Sequence, residues 1–376
     1  MNHLSVLALV LATLARGGYA AAQPPAPDGH ARKAPSRKTP PPDAAAVERR
    51  LLDAVRREPD SVVARHALAA FYVQHGKLDA AIPHLERARA IDPADYATGY
   101  DLALALLETG KLDEARAQVG RMMEAKETGE LHNLLGNVEE RAGNRVGAAG
   151  EYQRAAHMAP TEEHLFDWGN NLVQLRAFDE AAQVFTAAIA RHPQSGRLRV
   201  GLGIAHYSRG QYADAVKSFC EAADLAPSDP RPYQFLGEMY GVAPALGDEV
   251  TTRLARFANA HPRNALAQFH YGMSVWKGQP AASQPADMRQ VEGLLRQAVA
   301  LDRTLTKGFL ELGILLSDAR RYTEAILELR RATQLEPDLA QAHYRLAQAY
   351  QRTGQKALAA KELETFERLK GPRGTP

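Results

Sequence analysis

Apolar and small residues recur along the chain with a period of about 34 residues, from residue 44 to near the C-terminus. Within a period, a large apolar residue is followed directly by Gly or Ala. A Gly comes next, and then two Ala residues with a Leu or an aromatic residue between them. The clearest example contains Leu68, Ala69, Tyr72, Gly76, Ala81, Leu85 and Ala88. The spacing of three or four residues within each half of the period is typical of amphipathic helices. The pattern therefore predicts an array of helix pairs.

Special residues mark the ends of the predicted helices. Prolines close most periods, because a proline has no N–H to extend a helix; they are Pro59, Pro93, Pro160, Pro193, Pro227, Pro262 and Pro337. Glycines supply a permissive backbone for the turn between the paired helices; they are Gly76, Gly110, Gly143, Gly210 and Gly354. Residues that can cap the second helices follow these turns; they are Asp79, Asp113, Asp179 and Thr323.

Small residues recur on the first helix of each pair, where we expect them to allow close approach of the partner helix. They are Ala69, Gly136, Gly169, Gly203, Gly237, Gly272, Gly313 and Ala347. With the turns and prolines, they define a half-repeat over residues 44–59 and nine helix-turn-helix repeats. The repeats are predicted to begin near Val62, Tyr96, Gly129, Glu162, Gly196, Pro230, Ala265, Thr306 and Ala340.

This pattern resembles the tetratricopeptide repeat, and the resemblance covers nearly all of residues 43–371. It implies an all-α fold, in which helix pairs stack into a right-handed α-α superhelix and the first helices line a concave peptide-binding groove. Three repeats depart from the pattern: the second lacks its closing proline, the sixth has a loop over residues 242–247, and the seventh carries an insertion over residues 278–287. The insertion is either a tolerated surface loop or a partner contact.

The N-terminus is typical of an exported protein. Residues 4–15 form an apolar run, and Ala20 and Ala22 fit the small-residue pattern that signal peptidase accepts. We predict a signal peptide over residues 1–22, cleaved before Gln23, and a periplasmic or secreted chain. Because no Lys or Arg precedes the apolar run, an uncleaved anchor is the alternative. After cleavage we expect no stable membrane span.

Residues 23–42 are rich in proline and contain Arg32, Lys33, Arg37 and Lys38. We predict an extended linker. It is either a spacer or a peptide that occupies a groove, its own or a partner's, because proline-rich segments lose little entropy on binding. Residues 372–376 form a short C-terminal tail.

Composition excludes several classes of function. The chain has 46 Lys and Arg against 44 Asp and Glu, a net charge of +2, so we expect no nucleic-acid partner. The single cysteine, Cys220, excludes a disulfide framework, a four-cysteine metal site and a CxxC redox pair. The sequence contains no GxSxG, HExxH or P-loop motif. We therefore expect no metal, no cofactor and no enzymatic activity.

The first helices carry two sets of candidate peptide-binding residues. An apolar and aromatic set consists of Phe269, Met273, Trp276, Tyr207, Ile204 and Tyr344. It suits an amphipathic helix or a proline-rich strand, although the same stripe also suits packing between adjacent repeats. A polar set consists of Asn133, Asn137 and Asn170, with Asn171 as a further member and Arg197 just beyond. Amides can hold an extended peptide backbone through paired donors and acceptors, or they can simply be solvated.

These features favour a non-enzymatic scaffold that binds a protein or peptide segment in its groove, in the cell envelope or periplasm. The alternative is a regulatory or recruiting subunit of an enzyme of polysaccharide or peptidoglycan synthesis. Apolar residues on the last helix, among them Leu358 and Phe366, either cap the array or expose a patch for homo-oligomerisation.

Overall fold

The computed structural model describes residues 44–278 and 286–370. The predicted signal peptide, the proline-rich linker and the C-terminal tail lie outside the described residues. Within the described ranges, α-helices and short turns account for the chain, and no strand occurs. These residues form two compact units, residues 44–193 and the described part of residues 194–370.

Nineteen α-helices are found in the described ranges. The first unit contains α1 Ala44–Arg57, α2 Val62–Gln74, α3 Leu78–Ile91, α4 Tyr96–Glu108, α5 Leu112–Ala125, α6 Gly129–Arg141, α7 Arg145–Met158, α8 Glu162–Gln174 and α9 Phe178–Arg191. The second contains α10 Gly196–Ser208, α11 Tyr212–Leu225, α12 Pro230–Glu238, α13 Gly247–Ala260, α14 Ala265–Lys277, α15 Met288–Leu301, α16 Thr306–Asp318, α17 Tyr322–Leu335, α18 Ala340–Arg352 and α19 Lys356–Lys370. The even-numbered helices are the first helices of the nine repeats, and each begins at the residue that the sequence period predicts. The predicted all-α fold is confirmed.

The turn glycines adopt the backbone conformation that the sequence predicts. Gly76 and Gly110 have φ values of 69° and 77°, in the left-handed region. After Gly110, the Lys111 N–H donates to Leu106 O at 2.9 Å, a bond that closes the last turn of α4 in a Schellman motif. Arg176 and Arg320 take the equivalent place in two other repeats, with φ values of 62° and 58°. A side chain in this conformation costs about 1–2 kcal/mol.

The predicted caps of the second helices are wrong. Asp79 and Asp113 lie inside the first turns of α3 and α5, whose N-cap residues are Lys77 and Lys111 and make no side-chain capping bond. Asp179 likewise lies within α9, and Thr323 within α17. Carboxylates in a first turn still favour the helix, because they face the positive end of its dipole.

Two second helices, α7 and α15, have side-chain caps, Asn144 and Asp287, and most first helices have one. Seven N-cap side chains of first helices accept a hydrogen bond from a backbone N–H of the first turn. They belong to Ser61, Asp95, Thr128, Thr161, Ser195, Asp229 and Asn264.

The small residues of the first helices allow the close packing that was predicted. A Cβ on Gly136 would lie 2.6 Å from a ring carbon of Tyr152, and one on Gly203 would lie 2.7 Å from a ring carbon of Phe219. Both rings belong to the second helix of the same repeat. Gly237 differs, because its Cβ would meet His270 on α14, the first helix of the next repeat. In the sixth repeat, therefore, this glycine makes room for a neighbouring repeat.

The irregular repeats lie where the sequence predicts. In the sixth, α12 ends at Glu238 after 9 residues and is followed by a 3-10 helix, Pro244–Leu246. In the seventh, residues 279–285 of the insertion lie outside the described residues. The missing proline of the second repeat changes little, because α5 ends at Ala125 with an extended C-cap residue, Lys126, as α3 does with Asp92.

Candidate functional site

The predicted aromatic set lies mostly in the core of the second unit. Phe269 and Met273 are 4% and 0% exposed and belong to one core cluster with Leu310 and Ile314. Trp276 packs against this cluster from its half-buried position. Phe269 and Met273 are therefore covered by neighbouring side chains in this structure, and their contact with a ligand stays a prediction. Their spacing serves packing between adjacent repeats, which was the alternative.

The other members of that set are dispersed. Ile204 is 1% exposed and is a core residue, and its ligand contact also stays a prediction. Tyr207 is half-buried and its ring centroid lies 5.3 Å from that of Tyr212 on α11. Tyr344 is 39% exposed and lies 5.0 Å from the Phe366 ring. Each tyrosine thus pairs with a ring on the second helix of its own repeat.

The predicted asparagine set is built into the first unit. Asn133 is 5% exposed, and its Nδ2 donates to Asp167 Oδ2 at 3.1 Å, from α6 to α8. Asn137 Oδ1 accepts from the Tyr152 hydroxyl at 2.8 Å. Asn170 is half-buried and Asn171 is fully buried. These amides do not form a solvated ladder, and only Asn137 and Asn170 retain some exposure for the predicted peptide contact.

Arg197, the predicted extension of the asparagine set, is half-buried on α10 in the second unit. The asparagines belong to the first unit, so Arg197 is described separately from them.

A different surface of the first unit combines aromatic rings with carboxylates. We call it the tyrosine–carboxylate face, and define it by Tyr96, Tyr100, Asp101, Glu130 and Glu163. The rings of Tyr96 and Tyr100 stack on α4 with centroids 6.1 Å apart and an interplanar angle of 20°. The Tyr96 hydroxyl donates to Glu130 Oε2 at 3.0 Å, which joins α4 to α6. Tyr96 and Glu130 are both exposed.

The charges of the carboxylates of this face act on Tyr100. Burial and the nearby charges of Glu163 and Glu130 raise the pKa of Tyr100 to about 12. Asp101 Oδ2 lies 2.8 Å from His66 Nε2 on α2. In the described part of the chain, neither Glu130 nor Glu163 forms a salt bridge with a basic side chain. The face is therefore an aromatic surface with unneutralised negative charge.

The negative charge extends along three consecutive first helices. Together α4, α6 and α8 contain eight carboxylates and one guanidinium, that of Arg141. The five first helices of the second unit have the opposite balance, with seven Lys and Arg against three carboxylates. The net charge of +2 conceals this division. Counting charges on each predicted first helix would have revealed it.

Other chemistry is limited in the described residues. They contain no group of three or more His, Cys, Asp or Glu side chains placed to hold a metal ion. No helix among them is long and apolar enough to cross a membrane. Cys220 is 3% exposed, and burial raises the pKa of its thiol to about 11. This thiol stays protonated at neutral pH and behaves as a small apolar group.

Comparison with family profiles identifies the repeat. Profiles described as tetratricopeptide repeat match residues 72–138, 166–230 and 340–370, and one described as TPR repeat matches residues 320–354. The chain belongs to the tetratricopeptide repeat family. The matches lie in both units of this TPR protein.

One solved TPR structure supports the fold, and a second solved structure shows a weaker similarity. The C-terminal part of a TPR repeat-containing protein from Cytophaga hutchinsonii aligns with a TM-score of 0.51 and 17% identity, over 64% of this chain and 96% of that one. Yeast Tom70 aligns with a TM-score of 0.41 and 14% identity, over 87% of this chain and 82% of that one.

One curated relative is an enzyme by name. The human protein O-mannosyl-transferase TMTC1 is 24% identical over 167 residues, which are 43% of this TPR chain. The match spans 19% of the length of that relative. Its activity is therefore not transferred to this chain.

Proposed function

We propose that this TPR protein is a non-enzymatic interaction scaffold that binds an extended, basic segment of a protein partner on the tyrosine–carboxylate face. The observation that carries the proposal is the excess of carboxylates on α4, α6 and α8, three of which, Asp101, Glu130 and Glu163, act on the stacked ring of Tyr100. Lys and Arg side chains form favourable ion pairs with carboxylates and favourable cation–π contacts with aromatic rings. A basic segment therefore matches both components of the face.

Direct contacts between successive first helices support a binding surface that extends over several repeats. Hydrogen bonds join α2 to α4 through His66 and Asp101, and α4 to α6 through Tyr96 and Glu130. Asn133 and Asp167 join α6 to α8. Side chains held in this way keep their carboxylates in place before a ligand arrives, which reduces the entropy cost of binding.

The test is the affinity of the full chain for a synthetic Lys/Arg-rich peptide, measured by fluorescence anisotropy at two salt concentrations. Glu130→Gln combined with Glu163→Gln removes two charges from exposed positions of the face. We expect a loss of about 1 kcal/mol, or roughly fivefold in affinity, because exposed ion pairs contribute modestly. The loss should shrink at high salt.

A matched control removes the same charge elsewhere in the first unit. Glu114 and Glu124 are exposed on α5, a second helix, so Glu114→Gln combined with Glu124→Gln should leave the affinity unchanged. An acidic peptide of the same length should bind neither variant through this face. Equal affinities of the two double variants and the unaltered chain would refute the proposed site.

We also propose that the protein acts outside the cytoplasm, in the periplasm or beyond the cell. The support is the apolar run of residues 4–15, followed by Ala20 and Ala22. Fractionation and N-terminal sequencing of the native protein test this location: a chain that begins at Gln23 in the exported fraction is expected, and an intact N-terminus in the cytoplasmic fraction would contradict it.

A further inference from the structure

We propose that residues 23–42 of the same chain occupy the tyrosine–carboxylate face through two basic pairs, Arg32–Lys33 and Arg37–Lys38, until the basic segment of a partner displaces them. The proposal rests on the proposed function of this face. It makes the N-terminal linker an internal competitor of the ligand.

Charge complementarity supports this occupant. Residues 23–42 contain these four cationic residues and one carboxylate, Asp28. They also contain seven prolines, and a proline-rich segment loses little conformational entropy when it binds in an extended form. The described part of the chain offers such a segment negative charge on α4, α6 and α8, where Glu130 and Glu163 form no salt bridge with a basic side chain.

A buried acceptor in the same row of first helices also indicates a donor-rich ligand. Asn133 is the fifth residue of α6, and Tyr100 is the fifth residue of α4, so the two positions are equivalent in their repeats. It is 5% exposed, its Nδ2 donates to Asp167, and its Oδ1 has no hydrogen-bond partner in the described part of the chain. A buried amide oxygen without a donor is costly, and guanidinium and ammonium groups are donors only.

The linker is long enough to reach the face. It ends just before α1, whose Glu48 Oε2 lies 3.2 Å from Lys77 Nζ in the turn between α2 and α3. An extended proline-rich chain advances about 3.1 Å per residue, so Lys38, six residues before Ala44, reaches about 19 Å. The face lies toward the N-terminal ends of α4, α6 and α8, whereas Lys77 follows the C-terminal end of α2, so the linker must also run about 20 Å along the helix axis. Packed helices lie about 8–10 Å apart, so the sideways distance from α2 to α4 is shorter than this axial distance. Lys33, eleven residues before Ala44, reaches about 34 Å, which covers both distances.

The spacing of the basic pairs also fits the spacing of the carboxylates. The pairs are five residues apart, which corresponds to about 16 Å in an extended chain. Asp101 on α4 and Glu163 on α8 are separated by two steps between first helices, or about 16–20 Å at ordinary helix spacing. One pair can therefore face Asp101 and Glu130 while the other faces Glu163.

The experiment compares the unaltered full chain with a full-length variant that combines Arg32→Gln, Lys33→Gln, Arg37→Gln and Lys38→Gln. Each is titrated with a synthetic peptide of residues 23–42 and, separately, with the Lys/Arg-rich peptide described above. Short tethers give effective concentrations of about 1 mM, so a tethered segment with an affinity near 0.1 mM weakens a competitor by about tenfold. We expect both peptides to bind the variant about tenfold more tightly than the unaltered chain.

Adding Glu130→Gln and Glu163→Gln to the neutralised variant should then remove most of that gain. If both peptides bind the neutralised variant and the unaltered chain equally, the linker does not occupy the face, and the proposed function stands. If only the Lys/Arg-rich peptide binds the neutralised variant, the linker is not a ligand and the inference is refuted. If neither peptide binds either protein, the proposed function itself fails.

Discussion

Asn171 is one of two polar residues at a position that is apolar in the other seven repeats, and this makes a test of the packing possible. It lies on α8, is 0% exposed, and neither its Nδ2 nor its Oδ1 has a hydrogen-bond partner in the described part of the chain. In seven other repeats the equivalent residue is buried and apolar; these residues are Phe71, Ala105, Val138, Ala205, Met239, Leu315 and Ala349. In the seventh repeat it is Ser274, whose hydroxyl donates to Tyr271 O.

Replacing Asn171 by Val should stabilise the first unit. A buried polar group without a partner costs about 1–3 kcal/mol, and Val removes both such groups of the amide while filling a similar volume. Helix propensity barely changes, because Asn and Val rank together. We expect a gain of about 2 kcal/mol in the free energy of unfolding, which corresponds to roughly 4–8 °C in the Tm of a unit of about 150 residues, the size of the first unit.

The assay is urea unfolding of the full chain followed by far-UV circular dichroism, together with hydrogen exchange resolved to individual helices. Exchange is needed because repeat arrays can open locally, and the gain should appear first as slower exchange in α8 and α9. Val138→Asn is the reverse control at the equivalent position of α6, and it should cost about 2–3 kcal/mol. If Asn171→Val lowers stability, the amide is hydrogen-bonded in solution, and the assignment of two unpaired atoms is wrong.

Two further predictions concern packing and pH. Gly203→Ala should lower the free energy of unfolding in urea by about 1–3 kcal/mol, because its Cβ would lie 2.7 Å from the Phe219 ring. Gly120→Ala, on α5 with open space around it, should instead raise this free energy by up to about 1 kcal/mol. Equal effects of the two substitutions would refute the steric explanation. Burial lowers the pKa of His270 from 6.5 to about 4, so the unfolded chain binds a proton that the folded chain excludes between these values. The free energy of unfolding should therefore fall by about 3 kcal/mol as the pH drops from 6.5 to 4. His270→Gln should make this pH dependence weaker in urea titrations at several pH values. An unchanged dependence would contradict the lowered pKa of His270.

The repeat boundaries could be predicted from the sequence because they depend on local constraints. A turn residue at positive φ favours Gly, and a contact such as that between Gly136 and Tyr152 leaves no room for a Cβ. These constraints recur with the period, so they locate all nine first helices. The predicted caps lie two residues after the actual N-cap residues, and a sequence pattern does not locate a helix end to within two residues.

The binding residues were harder to predict because one stripe of a first helix serves two purposes. Phe269 and Met273 have the spacing of a groove-lining stripe, yet they pack with residues of the next repeat. Which side chains are covered depends on the neighbours that the fold brings together, and no spacing within one helix contains that information. The charge of each first helix was readable from the sequence, but only after the helices had been assigned.

Under the proposed function, the division of charge also favours one of the two units as the binding site of a basic segment. On the first helices of residues 194–370, seven cationic side chains outnumber three carboxylates, and Arg199, Arg231, Lys277 and Lys307 are paired with carboxylates. A Lys/Arg-rich peptide therefore finds an excess of carboxylates on α4, α6 and α8 but none on those helices. Specificity is a difference between two affinities, so this difference in attraction contributes to it. The same difference applies to residues 23–42. Charge favours binding of their four cationic residues to the first unit, which directly follows them in the chain. The short tether favours the same unit, so both factors favour the tyrosine–carboxylate face.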